Sequence, residues 1–152
     1  MAQASEVLME TRDDLMKIVI FRINDEDYGV DVSLVNSIER MTDVTRVPNV
    51  NDYILGVMNL RGSVIPLIDL RKRFGLPIET YNEDTRIIVL SVGEIEVGIV
   101  VDSCSDVTDI KRGEIEPPPT VVGGIESTYI QGVTKMDRRL IILLDMEKTL
   151  KS

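Results

Sequence analysis

Histidine and tryptophan are absent from the 152 residues, cysteine occurs once, and aromatic side chains make up only 4%. Without histidine there can be no Ser-His-Asp triad, no Cys-His dyad and no histidine-ligated metal. The lone Cys104 excludes an intramolecular disulfide framework and leaves no cysteine cluster for zinc. Scarce aromatics oblige the core to be built from Ile, Val, Leu and Met. Positive charge is also in deficit: 17 Lys and Arg face 26 Asp and Glu, a formal net charge of −9. A surface of that sign repels phosphate backbones and anionic lipid, so neither nucleic acid nor a membrane is an expected partner. No apolar run approaches the ~20 residues of a membrane span. The opening "MAQASEVLMETRDDLMK" has neither the basic nor the apolar region of a signal peptide. These absences together predict a cytoplasmic protein.

What the chain does contain, it writes twice. "YILGVMNLRGSVIPLIDLRKRF" occupies residues 53–74, and "YIQGVTKMDRRLIILLDMEKTL" follows 76 positions later, at 129–150. Tyr53/Tyr129, Gly56/Gly132, Val57/Val133, Ile65/Ile141, Leu67/Leu143 and Asp69/Asp145 coincide. Further upstream, "IVIFRINDEDYGVDVSLVNSI" matches "RIIVLSVGEIEVGIVVDSCSDV" when Gly29 is laid on Gly98, an offset of 69. Order and turn residues repeat as well as composition, which sets the match apart from chance likeness among Ile/Val-rich strands.

Residues 1–16 are polar and mixed in charge and read as a flexible lead-in. From Lys17 onward, short Ile/Val-rich runs are broken every eight to twelve residues by Gly, Pro, Asn or Asp, the punctuation of an all-β chain. "YILGVMNL" and "SVIPLIDL" form a hairpin turned at Arg61-Gly62, and Pro66 places the second arm at an edge or a bulge. "DLRKRFGLP" carries the signals of a short helix, with Asp69 as N-cap, Gly75 past the end and Pro77 as a stop. A second short helix starts at Asp145. Pro117, Pro118 and Pro119 enforce an extended connector between the later strands. Each half then supplies about five strands and a helical turn, enough to close a small barrel and so remove its edges. The expected architecture is all-β: two similar five-stranded barrels packed into one unit, lobe one at about 17–77 and lobe two at about 86–150.

Little in the sequence suggests catalysis. Asp69 and Asp145 could be drawn as a carboxylate pair, but their repetition at two helix starts favours capping. Cys104 has no basic sequence neighbour to activate it. No Gly-x-x-x-x-Gly-Lys occurs, and neither a cofactor nor a catalytic residue is expected. Arg61 stands apart. The first copy has Asn59-Leu60-Arg61-Gly62 where the second has Lys135-Met136-Asp137-Arg138, a change the hairpin itself does not need. An arginine beside a glycine at a hairpin tip offers an open fork of donors; the two readings are a partner contact and a solvated turn residue.

The stretch "GVMNLRGSVIPLIDLRKRFGL", with "YGVDVSLVNSIERMTDVTRVPNV" before it and "VGIVVDSCSDV" and "YIQGV…LIILLDMEKTL" after it, resembles the CheW family of bacterial chemotaxis coupling proteins. The resemblance runs from about Lys17 to the C-terminus. The same module occurs in the kinase CheA and in CheV, but with no kinase, phosphotransfer or receiver segment the chain reads as a free-standing adaptor. The resemblance implies two SH3-like barrels without catalytic activity. It implies two partners: the cytoplasmic tips of chemoreceptors, as a helical hairpin in a groove, and the regulatory domain of the histidine kinase CheA, met by exposed strands. The residues it marks on the partner-binding surface are Val35, Gly56, Asn59, Leu60 and Arg61, with Ile87 and Gly98 from the later strands.

One departure stands out. Many family members have an acidic residue just before the isoleucine of the third strand, paired with the arginine of the Asn-Leu-Arg-Gly motif. Here Ser37 holds that place and the acid is Glu39, on the same face of an extended strand. The expectation is that Glu39 takes over the role weakly. Alternative readings are a CheW-like scaffold of a pathway other than swimming, an SH3-like nucleic-acid module, which the charge opposes, and a carboxylate-dyad hydrolase.

Overall fold

The computed structural model describes residues 14–48, 51–77, 80–122 and 124–150. Its strands are β1 (Leu15–Ile23), β2 (Glu26–Asp31), β3 (Val35–Arg40), β4 (Ile54–Leu60), β5 (Ser63–Asp69), β6 (Arg86–Val92), β7 (Ile95–Val101), β8 (Ser103–Lys111), β9 (Val121–Val122), β10 (Ile125–Glu126), β11 (Ile130–Met136) and β12 (Arg139–Leu144). Two short helices, α1 (Leu70–Phe74) and α2 (Met146–Leu150), follow β5 and β12. Asp69 caps α1 by accepting from the Arg71 N–H at 2.9 Å, and Gly75 ends it in the left-handed region at φ 72°. The lead-in expected over 1–16 lies outside the described residues except at its end, where Leu15 and Met16 already belong to β1.

The strands form two mixed five-stranded sheets, in the orders β11-β12-β2-β1-β8 and β3-β6-β7-β5-β4, with β9 and β10 as a separate small pair. These sheets do not follow the two halves of the chain. The β1–β2 hairpin joins β8, β11 and β12, while the β6–β7 hairpin joins β3, β4 and β5. The division into lobes at 17–77 and 86–150 is therefore corrected: each half lends its first hairpin to the sheet built mainly by the other. The duplication survives this exchange in detail. Leu67, Ile68 and Asp69 run parallel to Gly98, Ile99 and Val100, and Ile141, Ile142 and Leu143 run parallel to Asp27, Tyr28 and Gly29. The Asp69 N–H donates to the Tyr53 carbonyl at 2.9 Å, and Asp145 does the same to Tyr129 at 2.9 Å.

The expectation of closed barrels is also corrected. Each sheet has two free ends, β11 and β8 in one, β3 and β4 in the other. The chain leaving an edge strand touches the opposite edge at a single residue pair: Thr45 with Val57, and Glu116 with Val133. Both hydrogen bonds of each pair form, at 2.8 to 2.9 Å, but no ladder extends from them. The approach depends on glycine. A Cβ on Gly56, whose φ is 149°, would run into the Thr45 carbonyl, and one on Gly132 would lie 2.9 Å from the Glu116 oxygen. Pro66 proves not to be on an edge strand, since β5 lies between β7 and β4. Pairing to β7 begins only at Leu67, so at the level of Pro66 the strand still has an open side for a residue with no N–H.

The inner strands of each sheet are buried on both faces, which explains runs such as "KIVIFRI" and "RIIVLSV". Along β6, Ile88, Leu90 and Val92 face the core shared by the two sheets, while Ile87 and Val89 face a separate cluster with Met58, Ile65, Leu67 and Val100. Along β1, Val19, Phe21 and Ile23 face the shared core, and Ile18 and Ile20 a third cluster with Ile141 and Leu143. The two helices meet at Arg73. Its guanidinium lies between the rings of Tyr53 and Tyr129, at 4.8 and 4.9 Å, and its Nε donates to the Thr149 carbonyl at 2.7 Å.

Candidate partner-binding site

The β4–β5 turn sets the tip of the first repeated hairpin. Arg61 and Gly62 both have positive φ, 51° and 87°, the geometry that matches the twist of the two strands. The Asn59 side chain closes the turn by accepting from the Gly62 N–H at 3.1 Å. Asn59 is thus a local clamp, and it leaves the exposed Arg61 at the apex. No hydrogen bond or ion pair reaches the Arg61 side chain from the described residues.

Where β3 and β4 fail to close the sheet, a gap of about 170 Å³ remains, lined by Asn36, Ser37, Leu60, Arg61, Val89 and Glu96 among others. The Ser37 hydroxyl is buried there without a partner. Asn36 donates to Ser91 at 2.7 Å and to Glu96 at 2.9 Å, so the acid that borders the gap is Glu96, which sequence reasoning missed. Glu39 lies elsewhere, half-buried on β3 opposite Ile87, and no ion pair joins it to Arg61. Glu96 is far from Arg61 in sequence, and only the curl of the sheet places both at one gap.

The other marked residues divide into surface and support. Leu60 is half-buried against the Met58–Ile65 cluster. Val35 is half-buried against the shared core. A bulge between Val35 and Ser37 turns Val35 and Ile38 to the same face, opposite Leu90 and Ile88, and leaves Ile38 42% exposed. The equivalent bulge in the other sheet does the same for Cys104 and Val107, and Val107 is 54% exposed. Each sheet therefore shows one bare aliphatic on its edge strand beside the shared core. Ile87 is fully buried, and Gly98 is packed so closely that a Cβ would lie 2.6 Å from Leu67 and 2.8 Å from Ile87. Gly56, Ile87 and Gly98 hold the shape of the sheet and touch no solvent-facing partner directly.

The electrostatics give no sign of an activated group. Burial pushes the Cys104 thiol up from its ordinary value, away from a reactive thiolate. The Tyr81 phenol is pushed up to about 12, first by burial and then by its 2.8 Å hydrogen bond to the Asp69 carboxylate. Arg139 grips Asp27 with two 3.0 Å hydrogen bonds and holds its carboxyl below the usual range. No group of three or more His, Cys, Asp or Glu side chains placed to hold a metal ion occurs among the described residues. No helix among them is long and apolar enough to cross a membrane.

Paired sheets, an open seam and bare aliphatics at two edges define a binding module rather than a reaction centre. The CheW-like domain family matches residues 17–152, and the chain belongs to this family. It is 40% identical over 136 residues to the chemotaxis protein CheW of Klebsiella aerogenes, covering 90% of this chain and 82% of that one. To CheW of Bacillus subtilis it is 41% identical over 134 residues, covering 88% and 86%. The crystal structure of the scaffolding protein TtCheW from Thermoanaerobacter tengcongensis superposes with a TM-score of 0.84 at 34% identity, covering 90% of this chain and 88% of that one. Like its family, the chain works by binding and carries out no catalysis.

Proposed function

We infer that this chain is a cytoplasmic chemotaxis adaptor, joining the cytoplasmic tips of chemoreceptors to the regulatory domain of CheA and so controlling kinase autophosphorylation. The observation that carries this reading is the family match over nearly the whole chain, shared with chemotaxis proteins of similar length. The Arg61 tip and the edge strand bearing Val35 and Glu39 are the proposed contact surface, with Asn59 fixing the tip and Leu60 backing it. Gly56, Ile87 and Gly98 serve that surface from within. An arginine with no side-chain partner among the described residues can take an acidic side chain from outside, and its exposed position means the fold does not depend on it.

The test is reconstitution with CheA and receptor-bearing membranes. The protein is expected to sediment in a ternary complex and to change kinase activity. Arg61→Glu is expected to cut that change about tenfold or more, which is what losing a buried interfacial charge contact of 1.4 kcal/mol or more implies. Its folding stability should stay within about 0.5 kcal/mol of the parent. No ternary complex and no change in kinase activity would reject the assignment.

A further inference from the structure

The two sheets meet across a core made mostly of Val, Ile and Leu. Aliphatic packing is strong but non-directional, so it discriminates less among neighbouring angles between the sheets than polar contacts do. Three polar ties cross between the sheets at α1 or just past it. Arg71, which follows β5, lies 3.4 Å from Asp102, where the chain passes over to β8. Asn24, in the β1–β2 turn of the other sheet, donates its N–H to Asp102 at 2.8 Å and its side-chain amide to the Pro77 carbonyl at 3.0 Å. Arg73 donates from Nε to the Thr149 carbonyl of α2 at 2.7 Å.

Arg73 differs from the other ties because it stands on the symmetry of the repeat. Its guanidinium is 4.8 Å from Tyr53 and 4.9 Å from Tyr129, mates at the 76-residue offset, and Thr149 is the mate of Arg73 itself. Tyr53 leads into β4 and Tyr129 into β11, so the two rings belong to different sheets. Phe74 adds a ring contact to Tyr129 at 5.4 Å. The buried Thr149 sends nothing back, since its hydroxyl donates to the Asp145 carbonyl within α2. A point equidistant from two mates holds one cation, and an arginine at 149 would bring a like charge to the same place. The angle that this pin fixes also sets the separation and tilt of two equivalent edges, because Ile38 on β3 and Val107 on β8 are mates at the 69-residue offset. We propose that Arg73 is a positioning residue of the adaptor: it pins the sheets at one mutual angle, so that a partner on each sheet is presented to the other in one geometry. This role rests on the adaptor reading above.

The test uses the full chain. Arg73→Met keeps the apolar stem and loses the fork of donors, and its unfolding midpoint is expected about 2–4 °C below the parent. Ile18→Val, in the cluster outside the shared core, is a control of similar loss. Arg73→Met should bind the CheA regulatory domain alone and receptor-bearing membranes alone within about twofold of the parent, while its kinase activation with both present falls about fivefold or more. Ile18→Val should keep full activation, and Arg73→Lys, which retains a charge over the rings but not the Nε donor, should fall between. The angle is read without partners from the distance between nitroxide labels at Glu94→Cys and Lys135→Cys, one exposed site on each sheet, in a Cys104→Ser background. One narrow distribution is expected in the parent, shifted or broadened by about 2 Å or more in Arg73→Met. An unchanged distribution, or activation no lower than that of Ile18→Val, would overturn the proposal. A parent that fails to activate the kinase would reject the adaptor reading and with it this role, whereas the distances report the pin in the protein alone.

Discussion

The chain builds the same hairpin-and-helix unit twice, and the two copies diverge at their caps and at their tips. At the first cap a buried arginine, a tyrosine and two aspartates tie β5, α1 and the β7–β8 crossover into one ionic cluster. At the second cap the same backbone hydrogen bond, Asp145 N–H to Tyr129 carbonyl, forms beside an open cavity. Backbone geometry is thus indifferent to what the side chains do with it. The duplicated skeleton is common to both copies, and the side chains at the caps and tips are where they differ.

Removing the cation at the first cap should break the comparison most severely. Arg71→Met leaves the fully buried Asp69 carboxylate with no counter-ion of its own, and is expected to lower stability by about 3–5 kcal/mol in urea unfolding. Asp145→Ala at the second cap removes only a helix cap and should lower it by about 1 kcal/mol. Equal losses would mean that the first cluster is no more than a cap. Next in size are the crossing glycines. Gly56→Ala meets a carbonyl at a φ that side chains rarely adopt, and about 2–3 kcal/mol of destabilisation is expected. Gly132→Ala should cost less, about 1–2 kcal/mol, because its φ is ordinary and the closest atom, the Ile115 methyl at 2.5 Å, can move, which leaves the Glu116 carbonyl oxygen at 2.9 Å as the one backbone obstacle.

These contrasts mark what residue patterns can and cannot reveal. Turns and caps were legible because single residues carry them: Asn24-Asp25, Arg61-Gly62 and Gly75 punctuate the chain by their own conformational preferences. The hydrophobic period tells which residues point to opposite faces of a strand, as Ile87 and Ile88 do. It cannot tell which sheet a strand joins when both faces are buried, so the exchange of hairpins between the halves was hidden. Closure was hidden for a related reason. The length of a seam ladder depends on where the chain leaves Thr45 and Glu116, and no local residue encodes that. At the candidate site, the contrast of Asn-Leu-Arg-Gly with Lys-Met-Asp-Arg singled out Arg61. Its neighbours Ser37 and Glu96 come from strands that meet only through the curl of the sheet, and spacing alone favoured Glu39. The paired strands β9 and β10 are two residues each, too short for any period to register.

The tyrosine over the first cap gives the comparison a pH signature. Its phenol ionises near 12 in the folded protein and near 10 when unfolded, so the folded state favours the protonated form. That contribution is fully present below pH 10 and is lost as pH rises from 10 toward 12. Tyr81→Phe should lower neutral stability by about 1 kcal/mol and flatten the fall between pH 10 and 12. It should also remove a late phase from the ultraviolet titration of the tyrosines. An unchanged slope would detach Tyr81 from Asp69.

The smallest expected effect lies at the hairpin tips, where it separates conformation from contact. Both turns hold two consecutive residues at positive φ, 51° and 87° at Arg61-Gly62, 49° and 69° at Asp137-Arg138. The first tip meets this demand with a glycine and the second with an arginine, so the second carries strain that the first does not. Arg138→Gly should therefore stabilise the protein by about 0.5–1 kcal/mol, and Gly62→Ala should destabilise it by a similar amount, since a Cβ there meets open space and only φ is at stake. If both changes move stability as expected while Gly62→Ala leaves kinase activation intact, the glycine serves the turn alone and recognition rests on Arg61. A loss of activation out of proportion to the loss of stability would instead place the bare backbone of Gly62 against a partner.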